Sequence, residues 1–142
     1  MLCPFFRSGP QPVIDVLNRM RSPFNVSLAG QEAAIAALAE PGWVEQGRAH
    51  NAQYRTWLSE RLRALGIAVP PSACNFILAE FGSSERAKAA DAALRSRGVV
   101  VRPLHSYGMG RYLRITVGTV EECALVVEAL AAFAAQTEPA HA

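Results

Sequence analysis

Two arginines in apolar surroundings are the residues of this sequence best suited to bind an anion. Arg102 follows the run Val99–Val101, and Arg114 lies in the alternating segment 112–117. An arginine fixed on a strand presents a planar fork of N–H donors that matches a carboxylate or a phosphate. The structural alternatives are a strand-end arginine that reaches water and an arginine in a salt bridge. Because both residues flank the turn Gly108–Gly110, the pair favours an anion site.

The alternation of segment 112–117 predicts the direction of Arg114. Successive side chains of a strand point to opposite faces of the sheet, so Leu113, Ile115 and Val117 share one face. These three apolar side chains are predicted to pack on a core. Arg114 is therefore predicted to project from the opposite face.

The remaining candidate groups are weaker. His105 and Tyr107 belong to the same loop and could line a pocket, although such loop residues usually lie at the surface. Arg111 is predicted to be solvated, and His50 to be packed and hydrogen-bonded rather than catalytic. The sequence contains no serine–histidine–acid arrangement, paired-carboxylate motif or phosphate-binding GxxxxGK[ST] motif. No catalytic residue is therefore assigned.

Composition limits the class of protein. The chain has 142 residues, 51% of them hydrophobic, and a net charge of +2. These values predict one folded domain and do not favour nucleic-acid binding, since the arginines are scattered. Cys3, Cys74 and Cys123 show no metal-ligand spacing, so no metal site is expected and a reducing cytoplasm fits best. No apolar run is long enough to predict a membrane span.

Helical spacing and capping residues predict five helices, over 12–21, 27–39, 43–65 and 84–97 and from Thr119 onward. Strands are predicted over 67–69, 75–81, the residues leading into Arg102, and 113–117, with 75–81 as a central strand. A strand–helix–strand crossover followed by an adjacent strand predicts an α/β (α+β) domain. Its sheet is expected to be small and mixed, with about four strands, and to be covered by helices.

Three segments of this sequence resemble the C-terminal part of histidinol-phosphate aminotransferases. They are RSPFNVSLAGQEAAIAALAE at 21–40, GIAVPPSACNFILAEF at 66–81 and GVVVRPLHSYGMGRYLRITVGTVEE at 98–122. This family is a branch of the class I/II aminotransferases, which use pyridoxal phosphate. The resemblance implies the C-terminal small domain of a fold-type-I aminotransferase.

The resemblance also implies a domain plan. Residues 1–10 are expected to form an irregular N-terminus unlike the family. The remaining parts are a helical segment normally joined to the large domain (11–42), the C-terminal small domain with a long bridging helix (43–136), and a tail (137–142).

The implied activity is transfer of an amino group between L-histidinol phosphate and 2-oxoglutarate in histidine biosynthesis. By resemblance, Arg114 would bind the α-carboxylate of the amino acid, and Arg102 would help to bind the phosphate end of the substrate. A cytoplasmic protein is expected, without nucleic-acid or membrane partners. It would bind a phosphorylated amino alcohol or amino acid, and would form a homodimer or associate with a large-domain chain.

The lysine content departs from the family. A pyridoxal-phosphate transaminase holds its coenzyme through a lysine, which the family places upstream of the matching segments. Lys88 is the single lysine here and is predicted on the outward face of helix 84–97, where Glu85 and Asp91 can pair with it. The chain is therefore predicted to be inactive alone and not to hold the cofactor covalently. The alternatives are half of a split transaminase, a threonine-phosphate decarboxylase-like relative, and a non-catalytic anion-binding domain.

Overall fold

The structure is a computed structural model that describes residues 9–20 and 26–137. The chain divides into two compact units, residues 1–46 and 47–142. Most of the predicted irregular N-terminus and nearly all of the predicted tail lie outside the described residues.

The first unit contains helices α1 (Gln11–Met20) and α2 (Leu28–Leu38) and the start of α3 (Pro41–Ala64). Helix α2 begins as predicted, because the Ser27 hydroxyl accepts a hydrogen bond from the Gly30 N–H at 3.2 Å. Neither α1 nor α2 contains a buried residue. Ile14 and Leu17 of α1 are half-buried. Six other large apolar side chains of the two helices are exposed: Val13, Val16, Met20, Leu28, Ile35 and Leu38.

The second unit contains the rest of α3 and a small sheet with its helices. Its elements are strand β1 (Phe76–Glu80), α4 (Ser84–Ser96), β2 (Arg102–Pro103), a 3₁₀ turn (His105–Tyr107), β3 (Tyr112–Thr116) and α5 (Val120–Thr137). The helix boundaries follow local chemistry. The Ser83 hydroxyl caps α4, and Thr119 and Glu122 form the predicted capping box of α5. Gly66, with φ of 74°, follows the end of α3.

The sheet has the order β1-β3-β2, and both pairings are antiparallel. The prediction of a small sheet covered by helices is confirmed, but the expectation of a mixed sheet of about four strands was wrong. Among the described residues, segment 67–69 contributes only an isolated bridge between Ala68 and Glu80. Strands β1 and β2 run in the same direction, as a crossover requires, but β3 lies between them and separates them.

Strand β3, rather than β1, is the central strand. The apolar composition of 75–81 suggested burial on both faces, yet only Ile77 and Ala79 of β1 are buried. Phe76 and Leu78 are half-buried on the opposite face. Their apolar character therefore reflects a partly covered face and not a central position.

One face of the sheet carries the core of the second unit. Leu113, Ile115 and Val117 are buried there, which confirms the predicted alternation of β3. The same cluster contains side chains from three helices: Leu58 and Leu62 of α3, Ala87, Ala90 and Leu94 of α4, and Cys123, Val126 and Leu130 of α5. The helices thus cover the face opposite to Arg114. Within the part of the chain that is described, no helix has the length and apolar character needed to span a membrane.

Candidate functional site

Arg114 lies in the middle of β3 and projects from the face of the sheet opposite the core. Its register partners are Leu78 on β1 and Arg102 on β2. Residues directly opposite each other in antiparallel strands share a face, with Cβ atoms about 5 Å apart. The structure therefore places the two arginines predicted as site residues side by side on one face.

The guanidinium of Arg114 stacks on an aromatic ring and keeps a buried donor free. Its Cζ lies 5.0 Å from the centre of the Phe76 ring. Its Nε is buried and has no hydrogen-bond partner among the described residues. An unsatisfied buried polar group costs about 1–3 kcal/mol, and more when charged, and arginine stays protonated in proteins. An anionic acceptor could satisfy this donor after a side-chain movement that uncovers Nε.

Arg102 is exposed and rests on Tyr107. Its Nη2 donates a hydrogen bond to the Tyr107 hydroxyl at 3.1 Å, and its Cζ lies 5.7 Å from the ring centre. Tyr107 therefore lies next to the candidate site, where it contacts Arg102. His105, from the same 3₁₀ turn, is exposed.

Arg111 was expected to be solvated, and it is exposed, but it also forms an ion pair that was not predicted. Its Nε lies 2.9 Å from Oε1 of Glu80, and its Nη2 donates to the Tyr112 hydroxyl at 3.2 Å. This hydrogen bond and the nearby Glu80 carboxylate raise the pKa of Arg111 above its ordinary value. Its charge is thus compensated. Among the described residues no carboxylate is paired with Arg102 or Arg114.

The turn Gly108–Gly110 packs against the start of α4. A Cβ atom at position 110 would lie 2.5 Å from the Ser84 Oγ, so a larger residue there would require this hydroxyl to rotate away. Gly108 has φ of 71°, in the left-handed region that favours glycine. The glycines of this turn are therefore explained by backbone packing.

His50 is held in the structural role that was predicted for it. Its Nε2 donates to the Gly118 carbonyl at 2.8 Å, and its ring packs against Tyr54 with centroids 4.6 Å apart.

Cys74 is exposed and Cys123 is buried, and burial raises the pKa of the Cys123 thiol. Across residues 9–20 and 26–137, no cluster of three or more His, Cys, Asp or Glu side chains could hold a metal ion.

Comparison with known proteins identifies the family. The sequence profile of "Aminotransferase class I and II" matches residues 6–130. The chain belongs to the class I and II aminotransferase family.

Several members of this family are similar to the chain. A histidinol-phosphate aminotransferase of Granulibacter bethesdensis is 59% identical over 128 residues, which are 90% of this chain and 35% of that protein. The crystal structure of histidinol-phosphate aminotransferase from Sinorhizobium meliloti with pyridoxal-5'-phosphate matches with a TM-score of 0.82 and 26% identity, over 89% of this chain and 35% of that one. A Burkholderia pseudomallei aminotransferase structure gives 0.80 and 30% identity, over 89% and 38%. The chain spans about a third of the length of the curated relatives it matches.

Class I and II aminotransferases depend on pyridoxal phosphate, and the residues of this chain do not fit covalent attachment of that cofactor. Lys88, the single lysine, is exposed on α4. Its neighbours Ala87 and Ala90 pack into the core on the opposite side of the sheet from Arg114. The only lysine amine is thus separated from the arginine face by the sheet.

Three residues that contact the arginines were not predicted to do so from the sequence: Phe76, Glu80 and Tyr112. Phe76 and Glu80 belong to β1, distant in sequence from β3, and share a face with Arg114 only through the β1–β3 register. The sequence contained one indication that Phe76 and Glu80 share a face, because they are separated by an even number of positions and alternate residues of a strand point to the same side.

Proposed function

We propose that this chain is the C-terminal part of a histidinol-phosphate aminotransferase-like enzyme and supplies anion-binding arginines to its active site. The proposed reaction transfers an amino group between L-histidinol phosphate and 2-oxoglutarate. Support comes from the family, from relatives that carry this name, and from the arginine face. The single observation that carries the site assignment is the buried, unpartnered Nε of Arg114.

The two arginines suit the charges of these substrates. In this proposal Arg114 binds the α-carboxylate of 2-oxoglutarate or glutamate, because a guanidinium pairs with a carboxylate through two parallel hydrogen bonds. Arg102 binds the phosphate of L-histidinol phosphate, or the second carboxylate of 2-oxoglutarate. To do so it would leave its hydrogen bond to Tyr107, which is exposed.

We further propose that the 142-residue chain does not catalyse amino transfer alone. Lys88 is exposed on α4, across the sheet from the arginine face, so the coenzyme lysine would have to come from another polypeptide segment. We propose that a large-domain chain supplies this lysine, because a homodimer of this chain would bring only a second Lys88. The exposed apolar side chains of the first unit support such an association.

The corresponding domain assignment is also a proposal. Residues 11–42 would join the large domain, and residues 43–136 would form the small domain with α3 as its long bridging helix. The absence of buried residues in α1 and α2 supports a partner for the first of these segments.

A thermal-unfolding experiment tests the role of Arg114. The wild-type chain, Arg114→Gln and Arg86→Gln are heated with and without 2-oxoglutarate or L-histidinol phosphate. Arg86 is the matched control, because it is exposed on α4 behind the sheet. A ligand at ten times its Kd stabilises the folded state by about 1.4 kcal/mol. We expect a higher Tm for wild type and Arg86→Gln but no shift for Arg114→Gln; equal shifts in all three would contradict the assignment.

Co-expression tests the proposed division of catalysis. The chain is assayed for transamination alone and then together with a histidinol-phosphate aminotransferase large domain that carries the coenzyme lysine. We expect no turnover alone and measurable turnover in the reconstituted sample. Turnover by the isolated 142-residue chain would refute the proposed inactivity.

A further inference from the structure

Three arginines of segment 102–114 each lie over an aromatic ring, and one of the three pairs differs from the other two. A fourth arginine of the second unit, Arg61, lies over Trp57 of α3, which also carries no hydroxyl. Arg102 stacks on Tyr107 and Arg111 on Tyr112, and each donates a hydrogen bond to the hydroxyl of that tyrosine. Arg114 stacks on Phe76, which has no hydroxyl. Its ring can therefore contact the guanidinium without occupying one of the N–H donors.

We propose that Phe76 is a positioning residue for Arg114. It holds the guanidinium plane by stacking and leaves the in-plane donors available for a carboxylate. This role deepens the proposed function and rests on it, since Arg114 is the group that would contact the substrate.

The distance between the two groups supports a cation–π contact. On the β1–β3 ladder, Phe76 is paired with Thr116 and Leu78 with Arg114, so Phe76 is the diagonal neighbour of Arg114. Diagonal cross-strand neighbours lie within reach of aromatic and long side chains. The Cζ of Arg114 stands 5.0 Å from the ring centre, inside the range of about 6 Å for cation–π attraction.

Packing of the core does not account for the aromatic ring. Phe76 is half-buried on the face opposite the core, where Ile77 and Ala79 supply the buried contacts of β1. A leucine at this position would cover similar apolar surface but would have no π face. Compared with leucine, Phe76 adds a cation–π attraction that orients the Arg114 guanidinium. This contact leaves the N–H donors of the guanidinium free to bind a ligand.

The test compares wild type with Phe76→Leu and Phe76→Trp in the full chain. Leucine removes the π face. Tryptophan keeps it, and its indole N–H is a donor only, so it cannot accept from Arg114. Denaturant unfolding of each variant establishes folding, and calorimetric titration with 2-oxoglutarate gives the Kd. The Nε–H resonance of Arg114, assigned by its loss in Arg114→Lys, reports the guanidinium in ligand-free protein.

For Phe76→Leu we expect about a fivefold weaker Kd, the size of a partly desolvated cation–π contact, and faster exchange of the Arg114 Nε–H with water. Phe76→Trp should match wild type in both measurements. A merely structural role would lower the unfolding midpoint and leave both the Kd and the Nε–H exchange unchanged, which would overturn the inference. So would a folded Phe76→Trp variant that behaves like Phe76→Leu.

Failure of the proposed function would be distinguishable from failure of this inference. If wild-type chain binds no 2-oxoglutarate, the anion-site proposal fails. The ligand-free Nε–H exchange then decides the positioning role: faster exchange in Phe76→Leu alone supports it, and equal exchange in all three proteins refutes it.

Discussion

Arg102 and Arg114 are register partners in the antiparallel pair of β2 and β3. Like charges directly opposite each other on a sheet destabilise it. No carboxylate among the described residues is paired with either guanidinium. An anion bound between them would remove the repulsion, so the proposed ligand site and the predicted weakening of the ligand-free sheet depend on the same arrangement.

Removing one charge of this pair should stabilise the ligand-free chain. We expect Arg102→Gln to raise the free energy of unfolding by about 0.5 kcal/mol at low ionic strength. The gain should fall as salt screens the pair, because the Debye length is only about 3 Å at 1 M salt. Urea unfolding at two salt concentrations measures both effects.

Arg86→Gln is the control for this measurement, since it removes one positive charge from α4 on the other side of the sheet. It should leave stability nearly unchanged at both salt concentrations. If Arg102→Gln destabilised the chain equally at low and at high salt, loss of the contact with Tyr107 would account for the change and the proposed charge conflict would be wrong.

The two faces of the sheet should respond differently to truncation. Leu113 is 1% exposed within the core, and Leu113→Ala should lower the free energy of unfolding by about 2–5 kcal/mol. Leu78 is half-buried on the arginine face, so Leu78→Ala should cost clearly less. Urea denaturation of both variants checks this difference. Equal losses would show that the arginine face is packed as tightly as the core.

The sequence predicted best those features that depend on neighbours in the chain. The alternation of Leu113 and Ile115, the Ser27 cap and the Thr119–Glu122 capping box are local patterns, and each appears as expected. Strand pairing is not local. The edge position of β1 depends on which strand lies beside which, and a list of apolar residues does not specify that.

The candidate site shows the same limit. The direction of Arg114 followed from parity within one strand. Its contact with Phe76 and the pairing of Arg111 with Glu80 depend on the register between β1 and β3. Arg111 is exposed as predicted, but its ion pair was not predicted because its partner is distant in the sequence. That Arg114 has no ion-pair partner in segments 9–20 and 26–137 could not be predicted from the sequence either, because it depends on where the carboxylates lie in space.

The two described cysteines should differ in reactivity. Cys74 is exposed and Cys123 is buried, so iodoacetamide should alkylate Cys74 much faster under native conditions. Mass spectrometry of the peptides measures both rates. Rapid alkylation of Cys123 in folded protein would show that α5 opens readily from the sheet.

Burial of Cys123 should also affect stability at alkaline pH. Burial raises the pKa of its thiol, so the folded chain retains this proton at pH values where the unfolded chain has lost it. The contribution to stability is complete below the unfolded pKa of about 8.5 and is lost as pH rises through the folded pKa. In Cys123→Ala, the free energy of unfolding should therefore decrease less steeply as pH rises. Urea unfolding between pH 7 and pH 10 measures this dependence in both proteins. If the pH dependence of the free energy of unfolding were the same in Cys123→Ala and wild type, other titratable groups would be responsible for the loss of stability at alkaline pH.

Lys88 should make no specific contribution to cofactor binding. It is exposed on α4, whose buried residues Ala87 and Ala90 lie on the core side of the sheet, whereas Arg114 projects from the other side. A coenzyme attached to Lys88 could not meet a substrate bound to Arg114.

Borohydride reduction after incubation with pyridoxal phosphate should therefore label Lys88 in proportion to reagent concentration, without saturation. Lys88→Arg should unfold at the same temperature as wild type with and without the cofactor. Saturable labelling at stoichiometric cofactor, lost in Lys88→Arg, would instead show a built cofactor site on α4.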